Sequence, residues 1–179
     1  RNINDIKNVL RAGADKVSIN TAAIKDPNFI KNASRIFGSS TIVVAIEAIR
    51  SNEKYYAYTD NGRESSGIDV FEWAKRVQDL GAGEILITSV DKEGTGEGFD
   101  MDLVNGITSI VEVPVIAHGG AGSKEDVFNL LNNCDCDAVN ISSILHYDYV
   151  SSNNTSISSE EGNSEFLKNR RKFKNFIQQ

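Results

Sequence analysis

Gly81-Ala82-Gly83-Glu84-Ile85-Leu86-Ile87-Thr88 aligns position by position with Gly13-Ala14-Asp15-Lys16-Val17-Ser18-Ile19-Asn20, and more loosely with Asp135–Ser142. Each copy is a helix stop, a short turn, an apolar strand and a polar residue at the strand's C-terminal end. Around these copies, short Val/Ile-rich runs recur at Lys16–Asn20, Ile42–Glu47, Glu84–Ser89, Pro114–His118 and Ala138–Ser142. Such near-continuous apolar runs belong to strands covered on both faces, as in parallel sheets. Between them, Asn28–Phe37, Asp69–Leu80, Asp102–Ile110 and Lys124–Asn132 carry apolar residues at helical spacing. Asp26-Pro27 and Asp100 are helix start signals, and Gly38 and Gly81 are stop signals. This βα rhythm predicts a parallel α/β protein.

Repeated βα units point to a closed (βα)8 barrel more than to an open dinucleotide-binding sheet. No Gly-x-Gly-x-x-Gly follows a first strand, so no nucleotide cofactor is expected. Eight units need about 250 residues, and only five strands are legible. The expectation is a TIM-type barrel that is partial, covering about the last five βα units within residues 1–150 and truncated at both ends.

Composition narrows the function classes. The 179 residues are 40% hydrophobic and carry a formal charge of −6, enough for a core and a poor match to the basic face that nucleic acid requires. Two cysteines, Cys134 and Cys136, exclude a disulfide-rich module, and two thiolates alone are half a zinc set, so no metal is expected. No apolar run has the roughly 18 residues of a membrane span, and no signal peptide opens the chain, so the expected location is cytoplasmic. Residues 151–165 hold six Ser and three Asn, which predicts a flexible segment. Residues 166–179 interleave Phe166, Leu167, Phe173 and Phe176 with Lys168, Arg170, Arg171, Lys172 and Lys174. Such a segment either packs its aromatics on the barrel or serves as an anion-binding arm.

In a βα barrel the chemistry sits at the C-terminal ends of the strands. Those ends are Asn20-Thr21, Glu47, Thr88-Ser89 with Asp91, His118-Gly119-Gly120, and Ser142-Ser143. The loop His118-Gly-Gly-Ala-Gly-Ser123 lets backbone approach closely and aims N–H groups at an anion, and Ser142-Ser143 can do the same. Asp91–Gly98 is a second glycine-rich loop, read either as a flap over a ligand or as a plain surface turn.

These residues lead to a family. Ala12–Ala23, Phe37-Gly38-Ser39, Val43–Ile46, Asn61-Gly62-Arg63, Gly81–Leu86, Thr88–Asp91 and Gly119–Gly122 closely resemble, in order and spacing, the cyclase subunit of imidazole glycerol phosphate synthase. The resemblance runs from about Asp5 to Tyr147. It implies a (βα)8 barrel that takes ammonia from a glutaminase partner and closes an imidazole ring on a bis-phosphorylated ribulosyl substrate. The implied products are imidazole glycerol phosphate and aminoimidazole carboxamide ribotide. By resemblance, Asn20, Thr21, Gly94, Gly120 and Ser143 line two phosphate sites, and Thr88 and Asp91 stand at the active-site mouth. By the same resemblance, Lys16 and Glu84, beside Asp15, form a charged gate on the partner's face. Charged residues at a barrel's bottom rim also have a purely structural reading.

Two positions depart from the family pattern. Glu47 stands where the family usually has a catalytic Asp, so its carboxylate is extended by one methylene, about 1 Å, enough to matter in proton transfer. His118 stands where the family usually has Ser before the Gly-Gly pair. It either meets a phosphate or shuttles a proton, or it is a hydrogen-bonded neighbour without chemistry of its own. The family's other catalytic Asp and a nearby Lys come from a first strand and loop that have no counterpart here. Three functions follow as expectations: a cyclase subunit whose fragment alone is inactive, a paralogue supporting ammonia transfer in acetamidino-sugar synthesis, or a non-catalytic phosphate-binding half-barrel.

Overall fold

The computed structural model describes residues 2–152. Helix α1 (Ile3–Arg11) starts at a capping box: the Asn2 side chain accepts from the N–H groups of Asn4 and Asp5, and Asp5 accepts from the Asn2 N–H. Strand β1 (Val17–Ile19) follows, then the short α2 (Thr21–Lys25) and α3 (Asn28–Phe37). Pro27 opens α3 with its fixed φ, and Gly38 at φ 88° ends it. Strand β2 (Ile42–Ser51) runs on into a hairpin made of β3 (Lys54–Thr59) and β4 (Glu64–Asp69). Then α4 (Val70–Asp79), β5 (Glu84–Ser89), α5 (Met101–Thr108), β6 (Val115–His118), α6 (Lys124–Asn133), β7 (Ala138–Asn140) and α7 (Ser143–Ser152) alternate.

The parallel sheet runs β1-β2-β5-β6-β7, and the hairpin joins the far half of β2 antiparallel, on the same edge as β1. Strand β2 serves both because it is ten residues long: Ile42–Val44 pair with β1, and Glu47–Ser51 pair with β3. This is the α/β architecture expected, an arc of a (βα)8 barrel, with no β1–β7 pairing among the described residues. The strand count differs from the sequence reading: five strands are expected, and the described residues form seven. The two extra strands are an edge hairpin, β3 with period-two burial and β4 with no buried residue. Tyr55, Ala57 and Thr59 are buried while Tyr56 and Tyr58 are only half-buried, so neither strand shows the continuous apolar run of a parallel strand.

Burial alternates along the parallel strands as well. Val44, Ile46, Ile85, Ile87, Val115 and Ala117 are essentially inaccessible and join Trp73, Val77, Leu103, Ile107 and Leu130 of the helices in one core. Each such aliphatic side chain contributes on the order of 1.5–3 kcal/mol of burial. A smaller cluster of Ile6, Ala33 and Ile42 seats α1 and α3 beside it. The opposite face of the sheet carries Ala45, Leu86 and Ile116, all half-buried, and is the inner face of the arc. Residues 153–165 of the Ser/Asn-rich segment and 166–179 lie outside the described residues; Ser151 and Ser152 form the end of α7. Among the described residues no helix is long and apolar enough to cross a membrane.

Candidate active site

Strand register places four side chains in one row across the inner face. Glu47 of β2 pairs in register with Thr88 of β5, Thr88 with His118 of β6, and His118 with Asn140 of β7. Because register and pleat are shared, residues level with one another on adjacent strands point to the same face. The row stands at the C-terminal ends of β5, β6 and β7; in β2 the expected strand end at Glu47 is corrected to mid-strand, because β2 runs on to Ser51 to pair with β3. Glu47 Oε2 accepts a hydrogen bond from the Gly62 N–H at 2.8 Å, so the turn between β3 and β4 fixes the carboxylate. That turn holds Asp60 and Asn61 at positive φ (52° and 60°) before Gly62, a left-handed run that Asn, Asp and Gly tolerate best. Thr88 is buried.

At the β6–β7 side, the loops after three strands line a small open cleft. It is lined by Glu93, Gly94 and Gly96 from the β5–α5 loop, by His118, Gly119 and Gly120, and by Asn140, Ser142 and Ser143. The two glycine-rich loops touch backbone to backbone: the Gly98 N–H donates to Gly120 O at 2.8 Å, and a Cβ on Gly120 would stand 2.1 Å from Gly98 O. Ser142 occupies the position before α7, its carbonyl accepting from the Leu145 and His146 N–H groups. Backbone N–H groups at the start of a ten-residue helix, beside a glycine loop, suit a phosphate-sized anion. His118 Nδ1 lies 2.8 Å from the Asn140 carbonyl, and its Nε2 lies 3.6 Å from Glu93 Oε1.

Of the residues singled out from the sequence, the structure thus brings Gly94, His118, Gly119, Gly120, Ser142 and Ser143 to one cleft. Asn20 and Thr21 form a separate group at the β1 edge. There Asn20 Nδ2 donates to Tyr58 O at 3.2 Å and Thr21 Oγ1 accepts from the Asp60 N–H at 3.3 Å. Asn20 Oδ1 is buried with no hydrogen-bond partner among the described residues. Asp91 is not in the cleft; its Oδ2 accepts from the Arg50 N–H at 2.7 Å and ties the β5–α5 loop to the end of β2. Lys16 and Glu84 lie at the other end of the strands, where Lys16 Nζ donates to Glu84 Oε1, with Asp15 exposed beside them.

Sequence reasoning missed three contributors. Glu93 and Asn140 reach the cleft only through loop folding and strand register. Gly62 was legible in principle, since Asp60-Asn61-Gly62 between Tyr/Thr-rich runs is a hairpin signal. Cys134 and Cys136 make no centre: burial pushes both thiols up, and Cys134 Sγ lies 3.8 Å from Met101 Sδ. Among the described residues no group of His, Cys, Asp or Glu is arranged to hold a metal ion.

The sequence that builds this arrangement is similar to that of known proteins. Residues 1–151 match the family described as histidine biosynthesis protein. The chain belongs to that family. Among curated relatives, the imidazole glycerol phosphate synthase subunit HisF of Prochlorococcus marinus (strain AS9601) is 48% identical over 147 residues, 80% of this chain and 57% of its own length. The subunit HisF of Lactococcus lactis subsp. cremoris is 47% identical over 150 residues, 82% of this chain and 58% of its own. That of Dehalococcoides mccartyi (strain ATCC BAA-2266 / KCTC 15142 / 195) is 49% identical over 147 residues, again 82% and 58%. The chain therefore spans under three-fifths of the length of these histidine-biosynthesis relatives.

Proposed function

We propose that this chain carries the cyclase chemistry of imidazole glycerol phosphate synthase: ammonia-dependent closure of an imidazole ring on a bis-phosphorylated ribulosyl substrate, yielding imidazole glycerol phosphate and aminoimidazole carboxamide ribotide. The observation that carries the reading is the row Glu47–Thr88–His118–Asn140, level across β2, β5, β6 and β7, with a glycine-lined cleft at one end of it. Relatives named for this synthase subunit, near 48% identity, support the same reading.

The roles follow from position. Glu47 is the acid/base residue, held by the Gly62 N–H and open to the inner face. The cleft at Gly94, Gly119, Gly120, Ser142 and Ser143 takes one phosphate. Asn20 and Thr21, on the opposite edge of the arc beside the β3–β4 turn, take the other end of the substrate. A phosphate site at each edge would stretch the substrate across the row and set its reacting centre over Glu47 and Thr88. Ammonia enters from a glutaminase partner docked at the opposite rim, around Asp15, Lys16 and Glu84. The reaction is of the lyase class, and the chain alone, with one carboxylate of an acid/base pair in the row, is expected to show no turnover.

The test is a chimera in which residues 2–151 replace the aligned segment of the Lactococcus lactis relative. Ammonium-dependent cyclisation by a folded chimera supports the proposal. A chimera that folds, binds the substrate and does not cyclise it contradicts it.

A further inference from the structure

His118 is held at both nitrogens. Its Nδ1 faces the Asn140 carbonyl at 2.8 Å, an atom that only accepts, so Nδ1 carries the hydrogen in every protonation state. That leaves Nε2 as the nitrogen that gains or loses a proton, and it faces the Glu93 carboxylate at 3.6 Å. Both side chains line the cleft. A carboxylate on the wall of an anion site opposes binding, and here a titratable ring is placed to cancel it.

We propose that His118 is a positioning residue that makes anion binding in this cleft proton-dependent, an inference that rests on the reading of the cleft as a phosphate site. With Nε2 protonated, the imidazolium neutralises Glu93 and the wall presents no net charge. With Nε2 bare, Glu93 faces the incoming anion uncompensated. Each protonation of Nε2 adds one positive charge beside the anion, so affinity falls as pH rises. The other charged groups around the ring do not supply the effect. Asp126 of α6 is engaged by the Gly122 N–H and the Ser123 hydroxyl. Lys92 stands beside Gly120 through its Cβ and is not among the residues lining the cleft. Asp91 is tied to Arg50, and Thr88, level with His118 on β5, does not titrate.

Sulfate is the probe, because it stays a dianion across the pH range used and its own charge cannot create a pH slope. Titrated calorimetrically into the 179-residue chain, sulfate should bind roughly fivefold more weakly at pH 8 than at pH 5.5, the scale of one partly screened charge. Glu93→Gln should bind at pH 8 about as the parent does at pH 5.5, and should keep a slope, because the ring still adds one positive charge to the wall when it is protonated. His118→Asn, whose amide can still donate to the Asn140 carbonyl, should lose the slope and stay at the weak limit. His146→Gln, changing the chain's other histidine, should keep it. By linkage, saturating sulfate should raise the pH at which the His118 ring titrates by NMR. Binding with a flat profile in the parent chain, or a slope that persists in His118→Asn, overturns this inference and leaves the phosphate reading standing. No sulfate binding even at pH 5.5 overturns both.

Discussion

Glu47 Oε2 and the Gly62 N–H meet at 2.8 Å, across fifteen residues of hairpin. Glu47 lies at the point where β2 passes from its parallel partner β1 to its antiparallel partner β3. The hairpin folds back so that its turn caps the carboxylate, converting a flexible Glu into a fixed one. The longer Glu side chain thus reaches a backbone donor that holds it in place. Glu47→Asp, which withdraws the carboxylate by about 1 Å, should release Gly62 and raise amide exchange across Asp60–Arg63. Unchanged exchange at these amides would show that the turn holds itself.

The rim opposite the site offers a test that separates function from stability. Lys16 Nζ and Glu84 form an ion pair whose lysine is about half exposed, and such pairs contribute about 0–1 kcal/mol. Lys16→Ala in the chimera should leave the denaturation midpoint nearly unchanged and spare ammonium-dependent turnover. It should weaken glutamine-dependent turnover with the glutaminase present. Equal losses in both assays would remove the gate assignment.

The contact between the two glycine loops predicts a local weakness. Gly120 sits at φ 111°, and a Cβ there would stand 2.1 Å from Gly98 O. Gly120→Ala should cost about 1–3 kcal/mol in chemical denaturation, from backbone strain and a broken Gly98–Gly120 hydrogen bond. It should also abolish sulfate binding. Ser142→Asp adds a charge to the same cleft while keeping a residue that starts helices well, and should abolish sulfate binding at little cost in stability. Wild-type affinity in both variants would place the anion elsewhere.

Tyr55 gives a pH prediction away from the site. Burial, and then its hydrogen bonds to the Asp100 carboxylate at 3.0 and 3.1 Å, push its phenol up to about 12 from an ordinary value of 10. The folded chain thus holds this proton more tightly than the unfolded chain does. The associated stability is complete below pH 10 and is lost as pH rises toward about 12. Tyr55→Phe should remove that part of the alkaline destabilisation. In the parent chain one tyrosine of the five should ionise last, and ionisation of all five together would contradict the assignment.

What the sequence revealed follows what is local. Asp26-Pro27 and Gly38 delimit α3 as observed at Asn28–Phe37, and the apolar run of β5 matches Glu84–Ser89. Strand-end residues such as Thr88 and His118 could be named because βα alternation alone says where strands end. The hairpin Lys54–Asp69 escaped because its alternating Tyr55–Thr59 strand lacks the pattern of the parallel strands. Glu93 and Asn140 escaped for a different reason. Their place beside His118 depends on strand register and on a loop folding back, and neither is encoded in neighbouring residues.

The most direct test of the account is ammonium-dependent cyclisation by the chimera carrying Glu47→Gln. Loss of the carboxylate with little change in shape should cut the rate by about a hundredfold or more, the scale of a general acid or base. Substrate binding should be largely kept, and Glu47→Asp should lose less than Glu47→Gln. A Glu47→Gln chimera that cyclises at near-parental rate would make the carboxylate structural and contradict the assignment of this row as the catalytic centre.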